Sequence, residues 1–386
     1  MCVRRLFAIF TANVADVVNK YLYNDPDWPI FKWNSDKLLS LLSHVRNLQG
    51  QLIGKMATLG FDVRNAANLE TLTTEIVKST EIEGEIINRD QVRSSVAKRL
   101  GLDFDGPGNS DRAIDGFADL MVDATRNFDK ELTEERLFAW HSALFPTGKS
   151  GMYSIIAGNW RHDSTGPMQV VSGAVGKSKV HYEAPAAVRL ENEMRLFLVW
   201  FNLEKDIDPV LKSAIAHLWF LTTHPFEDGN GRISRAISDM LLARSDEQPF
   251  RFYSMSAQIR KERNAYYDIL EKTQKGDLDI TNWIEWFLNC LLRAIESAEI
   301  LFEKVIRRHG FWSKHAELTL NDRQKKILNL LLDDFEGVLN TTKWAKLAKC
   351  SQDTALRDVQ DLIEKGIFGK SKSGGRSTNY ELQSDE

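Results

Sequence analysis

The densest run of chemistry-bearing residues in the sequence is His224-Pro225-Phe226-Glu227-Asp228-Gly229-Asn230-Gly231-Arg232-Ile233-Ser234-Arg235. Gly229 and Gly231 lack a Cβ, so the backbone there can bring N–H groups close to an anion. A helix that starts here aims its positive dipole end at the same place. Arg232 and Arg235, three apart, share one side of that helix and can each clamp phosphate oxygens. Asp228 supplies a hard carboxylate of the kind that holds Mg²⁺ together with phosphate oxygens and water. His224, an imidazole that titrates near neutrality, stands where it can take the proton of an attacking hydroxyl. Any one of these features alone reads as a tight interhelical loop. A base, a metal carboxylate, an anion loop and two arginines within one loop and one helical turn point instead to phosphate-transfer chemistry.

The elements that must position this loop are apolar helices at 209–223 and 233–244, one on each side. Apolar residues at three- and four-residue spacing predict further helices at 110–127, 133–144, 186–202, 257–274 and 281–308. Upstream, Ser35 and Asp36 offer capping oxygens to a helix carrying Leu38, Leu41, Leu42, Val45, Leu48, Leu52 and Met56, which Gly60 closes; a second runs over 68–84. Glycines and β-branched residues concentrate between 148 and 185, where Met168-Gln169-Val170-Val171-Ser172-Gly173 and Lys179-Val180-His181-Tyr182 predict a β-hairpin over 166–185. Three short helices at 321–334, 341–349 and 351–365, then a strand pair over 367–382, have the layout of a winged helix-turn-helix. The expected fold class is mainly α. Its parts are an extension over 1–24, a small helical domain at 25–65, a core at 66–310 and a winged-helix domain at 316–386.

Composition fits that reading. The 386 residues are 43% hydrophobic and 27% charged, which is the globular range, and the net charge of -4 gives no general electrostatic reason to bind nucleic acid. Cys2, Cys290 and Cys350 are far apart and one is left over from any pairing, so neither a disulfide framework nor a CxxC metal site is expected, and a reducing, cytoplasmic setting is implied. Arg4 and Arg5 before Leu6-Phe7-Ala8-Ile9-Phe10 look superficially like a secretory signal, but Thr11, Asn13 and Asp16 interrupt the apolar run. No membrane is expected as a partner.

The loop matches, position by position, the Fic signature HPFx(D/E)GNGRxxR, and the chain resembles that family over about 69–292. The resemblance implies a compact helical fold and transfer of AMP from ATP to a serine, threonine or tyrosine hydroxyl of a protein, the chain itself included, with pyrophosphate released. It assigns His224 as the base, Asp228 as the Mg²⁺ ligand, Asn230 with Gly229 and Gly231 as an anion hole, and Arg232 and Arg235 as phosphate contacts. It makes the 166–185 hairpin a flap that aligns the target by strand addition. It also sets Tyr266 and Tyr267, ahead of Gln274, on the adenine side, where packing within the core is the competing role.

Ser79-Thr80-Glu81-Ile82-Glu83-Gly84 resembles the family's inhibitory motif, (S/T)xxxE(G/N). Ser79 and Glu83 are four apart on one helix face, and Gly84 ends the helix. From there Glu83 is expected to pair with Arg235 in place of the ATP γ-phosphate; a solvated acidic face is the plainer alternative. At the other end, Lys370, Lys372 and Arg376 in the wing make DNA a candidate partner through 351–382, whereas Asp353, Asp358, Asp361 and Glu364 weaken 351–366 as a reading helix. The rival function is a nucleotide-sensing DNA-binding regulator. Within enzymes, the runner-up is transfer of another phosphate-containing group. A homo-oligomer remains open.

Overall fold

A computed structural model describes residues 21–102, 111–164, 166–172, 179–332, 335, 337–371 and 378–383. The chain divides into two compact units, the second beginning at Ile300. The extension expected over 1–24 ends sooner than that: Tyr21, Leu22 and Tyr23 are buried, and the rings of Tyr21 and Tyr23 pack on Tyr182.

Helix α1 (Ser35–Ala57) starts where the Asn34 side chain accepts from the Lys37 N–H, one residue before the expected caps. It faces inward through Leu38, Val45, Leu52 and Met56. The strand-like segment before it is stitched to the core by Lys32, whose N–H and carbonyl bond Leu278 and Ile280. Residues 25–65 fall within the first compact unit. Helix α2 (Phe61–Ile82) begins seven residues earlier than the periodicity predicts, because the buried face of its first turns carries Asn65 and Asn68 beside Val63 and Ala67. A short α3 (Arg89–Leu100), capped by Asn88, has no counterpart in the expected layout; charged residues mask its buried Val92, Val96 and Leu100.

The centre of the unit is a helix pair. In α7 (Pro209–Thr223) every residue from Val210 onward is buried, and α8 (Asn230–Asp246) packs on it with nearly as little exposed surface. A helix apolar on all sides belongs inside a bundle. Around the pair lie α4 (Arg112–Arg126), α5 (Glu134–Leu144), α6 (Leu190–Leu203), α9 (Met255–Lys261), α10 (Arg263–Gln274) and the part of the long α11 (Thr281–Lys314) that precedes Ile300. The single helix expected over 257–274 is broken at Glu262, which leaves helical geometry at φ -106° and ψ 25° while its carboxylate takes two 2.6 Å hydrogen bonds from Arg293. Strands β1 (Lys149–Ser150) and β2 (Tyr153–Ser154) form a small hairpin, and β3 (Gln169–Ser172) pairs antiparallel with β4 (Lys179–Glu183), with an irregularity between Val170 and Val171. The tip of the expected flap, 173–178, lies outside the described residues.

The second unit contains α12 (Asp322–Leu332), α13 (Thr341–Ala348), α14 (Gln352–Glu364) and the hairpin β5 (Phe368–Lys370) and β6 (Tyr380–Leu382), around a core of Ile327, Leu328, Trp344, Val359, Leu362 and Phe368. Of the acidic residues on α14, Asp358 turns inward, whereas the Asp361 side chain stays 42% exposed. Asp358 is buried against Arg323 and Asn321, and Asp361 accepts from Gln324. Lys372 and Arg376 fall outside the described residues.

Candidate active site

His224 is the last residue of α7's cap and adopts a left-handed conformation, φ 49°. Its Nδ1 lies 3.3 Å from the Leu221 carbonyl. A carbonyl only accepts, so Nδ1 carries the proton and Nε2 keeps its lone pair. Burial pushes the imidazole down to about 4, with Arg161 lowering it further and the Leu221 carbonyl, Glu83 and Asp228 acting against this. At neutral pH His224 is therefore an uncharged base.

The next turn is built around Asn230. Its Oδ1 accepts from the Phe226 N–H at 3.0 Å and its Nδ2 donates to the Phe226 carbonyl at 2.8 Å. The Asn230 carboxamide is thus committed to closing the loop. The anion-facing donors are backbone: the first intrahelical bond runs from Ile233 N–H to Gly229 O, and the N–H groups of Asn230, Gly231 and Arg232 precede it. Gly229 has φ 79°, and a Cβ on it would meet Phe145 at 2.8 Å. Gly231 is glycine for a different reason, since a Cβ there would overlap Oε1 of Glu83. The Glu83 carboxylate lies directly over the start of α8.

Arg235 is 2% exposed. Its Nε donates to Ser79 Oγ at 2.7 Å, and a terminal nitrogen reaches the Ser79 carbonyl at 3.1 Å and Glu83 Oε1 at 2.6 Å. Burial opposes its charge, yet the facing Glu83 carboxylate outweighs this and keeps its pKa above the ordinary arginine value. Arg232 is paired far less. Its guanidinium lies over the Phe145 ring at 4.9 Å, Glu85 and Asp228 are 3.8 and 3.9 Å away, and its buried Nε has no hydrogen-bond partner among the described residues.

Asp228 accepts from Ser150 on β1 and, through Oδ1, from its neighbour Gly229 at 2.5 Å. Among the described residues no group of three His, Cys, Asp or Glu side chains could form a metal cage. A single partly exposed carboxylate, 41% by side chain, is nonetheless what Mg²⁺ uses when phosphates supply most of its ligands. The residues present fit such an ion.

Tyr266 and Tyr267, expected on the adenine side or in core packing, differ in burial. Tyr266 is 2% exposed, with its hydroxyl 2.9 Å from His217 Nε2 and its ring among Trp283 and Trp286, so it belongs to the packing beneath the site. Tyr267 donates to the Ile82 carbonyl at 3.4 Å, beside Arg263, which donates to the same oxygen at 2.7 Å; both hold the end of α2.

Three supporting residues escaped the sequence reading. His141 accepts the Gly158 N–H on Nδ1, and its Nε2 is 3.1 Å from the Asp228 carbonyl; it stacks on Phe226 at 4.1 Å between centroids. Ser150 touches Asp228, and Arg161 donates to the His224 carbonyl at 2.8 Å. None sits at a telling spacing from the loop; only the fold brings them there.

A family model described as Fic/DOC family matches residues 131–242, and one described as a domain of unknown function (DUF4172) matches residues 21–102, which include all of α2 and Glu83. Among curated proteins, the chain is 32% identical over 105 residues to a protein adenylyltransferase Fic of Culex quinquefasciatus, covering 27% of this chain and 19% of that one. It is 24% identical over 233 residues to its counterpart in Drosophila virilis, covering 60% and 43%. The matched stretches thus span less than half of these relatives. Among solved structures, a Fic domain containing signaling protein from Bacteroides thetaiotaomicron superposes with a TM-score of 0.50 at 19% identity, over 66% of this chain and 95% of that one, a likeness of fold.

Proposed function

We propose that this chain, which carries a Fic/DOC family domain, is a protein adenylyltransferase that moves AMP from ATP to a serine, threonine or tyrosine hydroxyl. The observation that carries the reading is a neutral base beside an anion site on one loop. His224, with Nε2 left to accept, caps α7, and the three N–H groups that precede the first intrahelical bond of α8 begin six residues later. In this reading the phosphates lie across those N–H groups between Arg232 and Arg235. The target oxygen attacks the α-phosphorus, its proton passes to His224 Nε2, and the bond to the pyrophosphate oxygen breaks. Asp228 would hold Mg²⁺, which neutralises charge on the phosphates when bound.

Two further roles go with it. Glu83 inhibits: it takes the Arg235 guanidinium and the space over Gly231 that a γ-phosphate would need. The β3–β4 flap aligns the target, because in a two-stranded sheet β3 keeps a free edge for strand addition. The exposed residues of α14 are Gln352, Asp353, Leu356, Arg357, Gln360 and Glu364, with the Asp361 side chain partly exposed beside them, a surface with one cation and three carboxylates that suits a protein better than a phosphate backbone.

Incubation with ATP labelled at the α- or the γ-phosphate, followed by intact and peptide mass spectrometry of chain and candidate targets, tests the reading. Gain of AMP mass with the α label supports it. Gain of phosphate alone means phosphoryl transfer, and no gain with tight DNA binding means a regulator.

A further inference from the structure

His224 holds a positive φ that a residue with a side chain keeps only where its surroundings maintain it. The group that does so is Arg161, whose side chain is 1% exposed. Its Nε donates to the His224 carbonyl at 2.8 Å, and its own N–H donates to the Pro225 carbonyl at 2.9 Å. The other arms of the same guanidinium point elsewhere: one donates to the Pro185 carbonyl at 2.5 Å and one to Asp163 Oδ1 at 2.7 Å. Pro185 lies two residues beyond the end of β4, and the second oxygen of Asp163 accepts the N–H of Ala187. One planar, buried fork thus bridges the loop bearing the base and the exit of the flap. A second tie runs parallel to it, as Tyr182 of β4 donates to the Thr222 carbonyl in the last turn of α7 at 2.5 Å.

We propose that Arg161 is a positioning residue that couples the seating of an extended target segment on the β3–β4 flap to the placement of the His224 imidazole. This rests on the AMP-transfer reading. A strand added to β3 fixes the flap, and β4 is already pinned to the body through His181, 2.6 Å from Glu271 on α10, and through buried Tyr182. The link from flap to body runs through 184–187, where Arg161 takes the Pro185 carbonyl and Asp163 the Ala187 N–H. The guanidinium is rigid and hydrogen-bonded at each arm, so a shift at Pro185 reaches His224 O without slack. A lysine can meet one of these acceptors but not the fork.

The test compares the full chain with Arg161→Lys and Arg161→Met by amide exchange and by initial rates of AMP transfer across pH. In Arg161→Lys the Ala187 amide should exchange at least about tenfold faster. Its kcat should fall about 10- to 100-fold with KM for ATP unchanged, the scale of a small misplacement of a reacting group. The charged groups facing His224 are Arg161, Glu83 and Asp228, and Arg161 is the one that opposes protonation. Arg161→Met should therefore move the acid limb of the rate to higher pH, while Arg161→Lys leaves it in place; a purely structural arginine gives no such split. Unchanged Ala187 exchange in Arg161→Lys, or unchanged kcat once that protection is lost, overturns the coupling. Should both variants fail to fold, Asp163→Asn, which loosens Ala187 and leaves the His224 bond, must lower kcat in the same way or the coupling fails. If the wild type transfers no AMP, the functional reading falls by itself. The coupling is then judged by the His224 imidazole NMR signals, which must shift in Arg161→Lys.

Discussion

Arg235 and Glu83 stand 152 positions apart in sequence and 2.6 Å apart in space, a charge-assisted hydrogen bond between the helix that follows the loop and a helix outside the Fic/DOC match. Ser79, one turn before Glu83, accepts from the same guanidinium through both its hydroxyl and its carbonyl. The end of α2 is fastened in turn by Arg263 and Tyr267 on the Ile82 carbonyl. The carboxylate is held over Gly231 from both directions.

Glu83→Gly should raise the initial rate of AMP transfer. A hydrogen bond to a charged group is worth roughly 1.5–3 kcal/mol, so freeing Arg235 for the γ-phosphate corresponds to a gain of about 10- to 100-fold. Glu83→Gly with Arg235→Ala should lose the gain, because the freed partner is then missing. Labelling with α-phosphate-labelled ATP under initial-rate conditions measures both. An unchanged rate in a folded Glu83→Gly protein assigns Glu83 to structure and not to regulation.

His224→Ala should cut transfer by about 10²- to 10⁴-fold, the usual worth of a general base, while ATP affinity by calorimetry stays within a few fold. The separation is expected because the phosphate donors are the N–H groups of α8 and the arginines, none of which the imidazole supports directly. Retention of the wild-type rate would remove His224 from the chemistry.

The loop from His224 to Arg235 was legible because its chemistry is local. Glycines, base, carboxylate and arginines lie within one loop and one helical turn, and the helices on either side are apolar enough to be read from composition. The Glu83–Arg235 pair was legible only through a motif resemblance, since nothing in the spacing of two residues so distant predicts contact. The committed side chain of Asn230 was not legible. A carboxamide in a glycine turn can face an anion or its own backbone, and only the closed loop shows which. Arg161 and His141 were hidden for the same reason: each acts on a backbone carbonyl, and a carbonyl leaves no mark in the sequence. The break at Glu262 was lost because the apolar periodicity runs on across it and no glycine or proline marks the site.

Asp228→Asn should abolish transfer and the response to added Mg²⁺ together, with little effect on folding. The carboxylate is partly exposed and its distance to Arg232 is 3.9 Å, so its loss leaves no tightly paired buried charge behind. Rates measured against Mg²⁺ concentration, with chelator as the zero point, check this. A wild-type enzyme fully active in excess chelator would contradict the role given to Asp228.

His217, beneath the site, gives a prediction about stability alone. It is 1% exposed, donates from Nδ1 to Ser238 Oγ at 2.9 Å and accepts the Tyr266 hydroxyl on Nε2 at 2.9 Å. Burial pushes its imidazole down to about 3, with Arg235 adding to the effect. The unfolded chain takes up this proton near the ordinary value of about 6.5, whereas the folded chain refuses it until much lower pH. Unfolding therefore binds a proton in the interval between, and the stability that comes from keeping His217 neutral is whole above about pH 6.5 and drains away as pH falls toward 3. His217→Gln cannot titrate, yet it offers a donor and an acceptor to the same two partners. The unfolding free energy of the wild type minus that of His217→Gln should then fall by about 1.4 kcal/mol per pH unit below pH 6. Other buried groups, such as Asp239, which burial and Glu75 push up to about 8, act alike in both proteins and cancel in the difference. Urea denaturation at pH 7.5, 6 and 5 measures it. A difference that stays constant across these three points means that His217 is protonated in the folded protein or exchanges its partners, and the neutral core assigned to it is wrong.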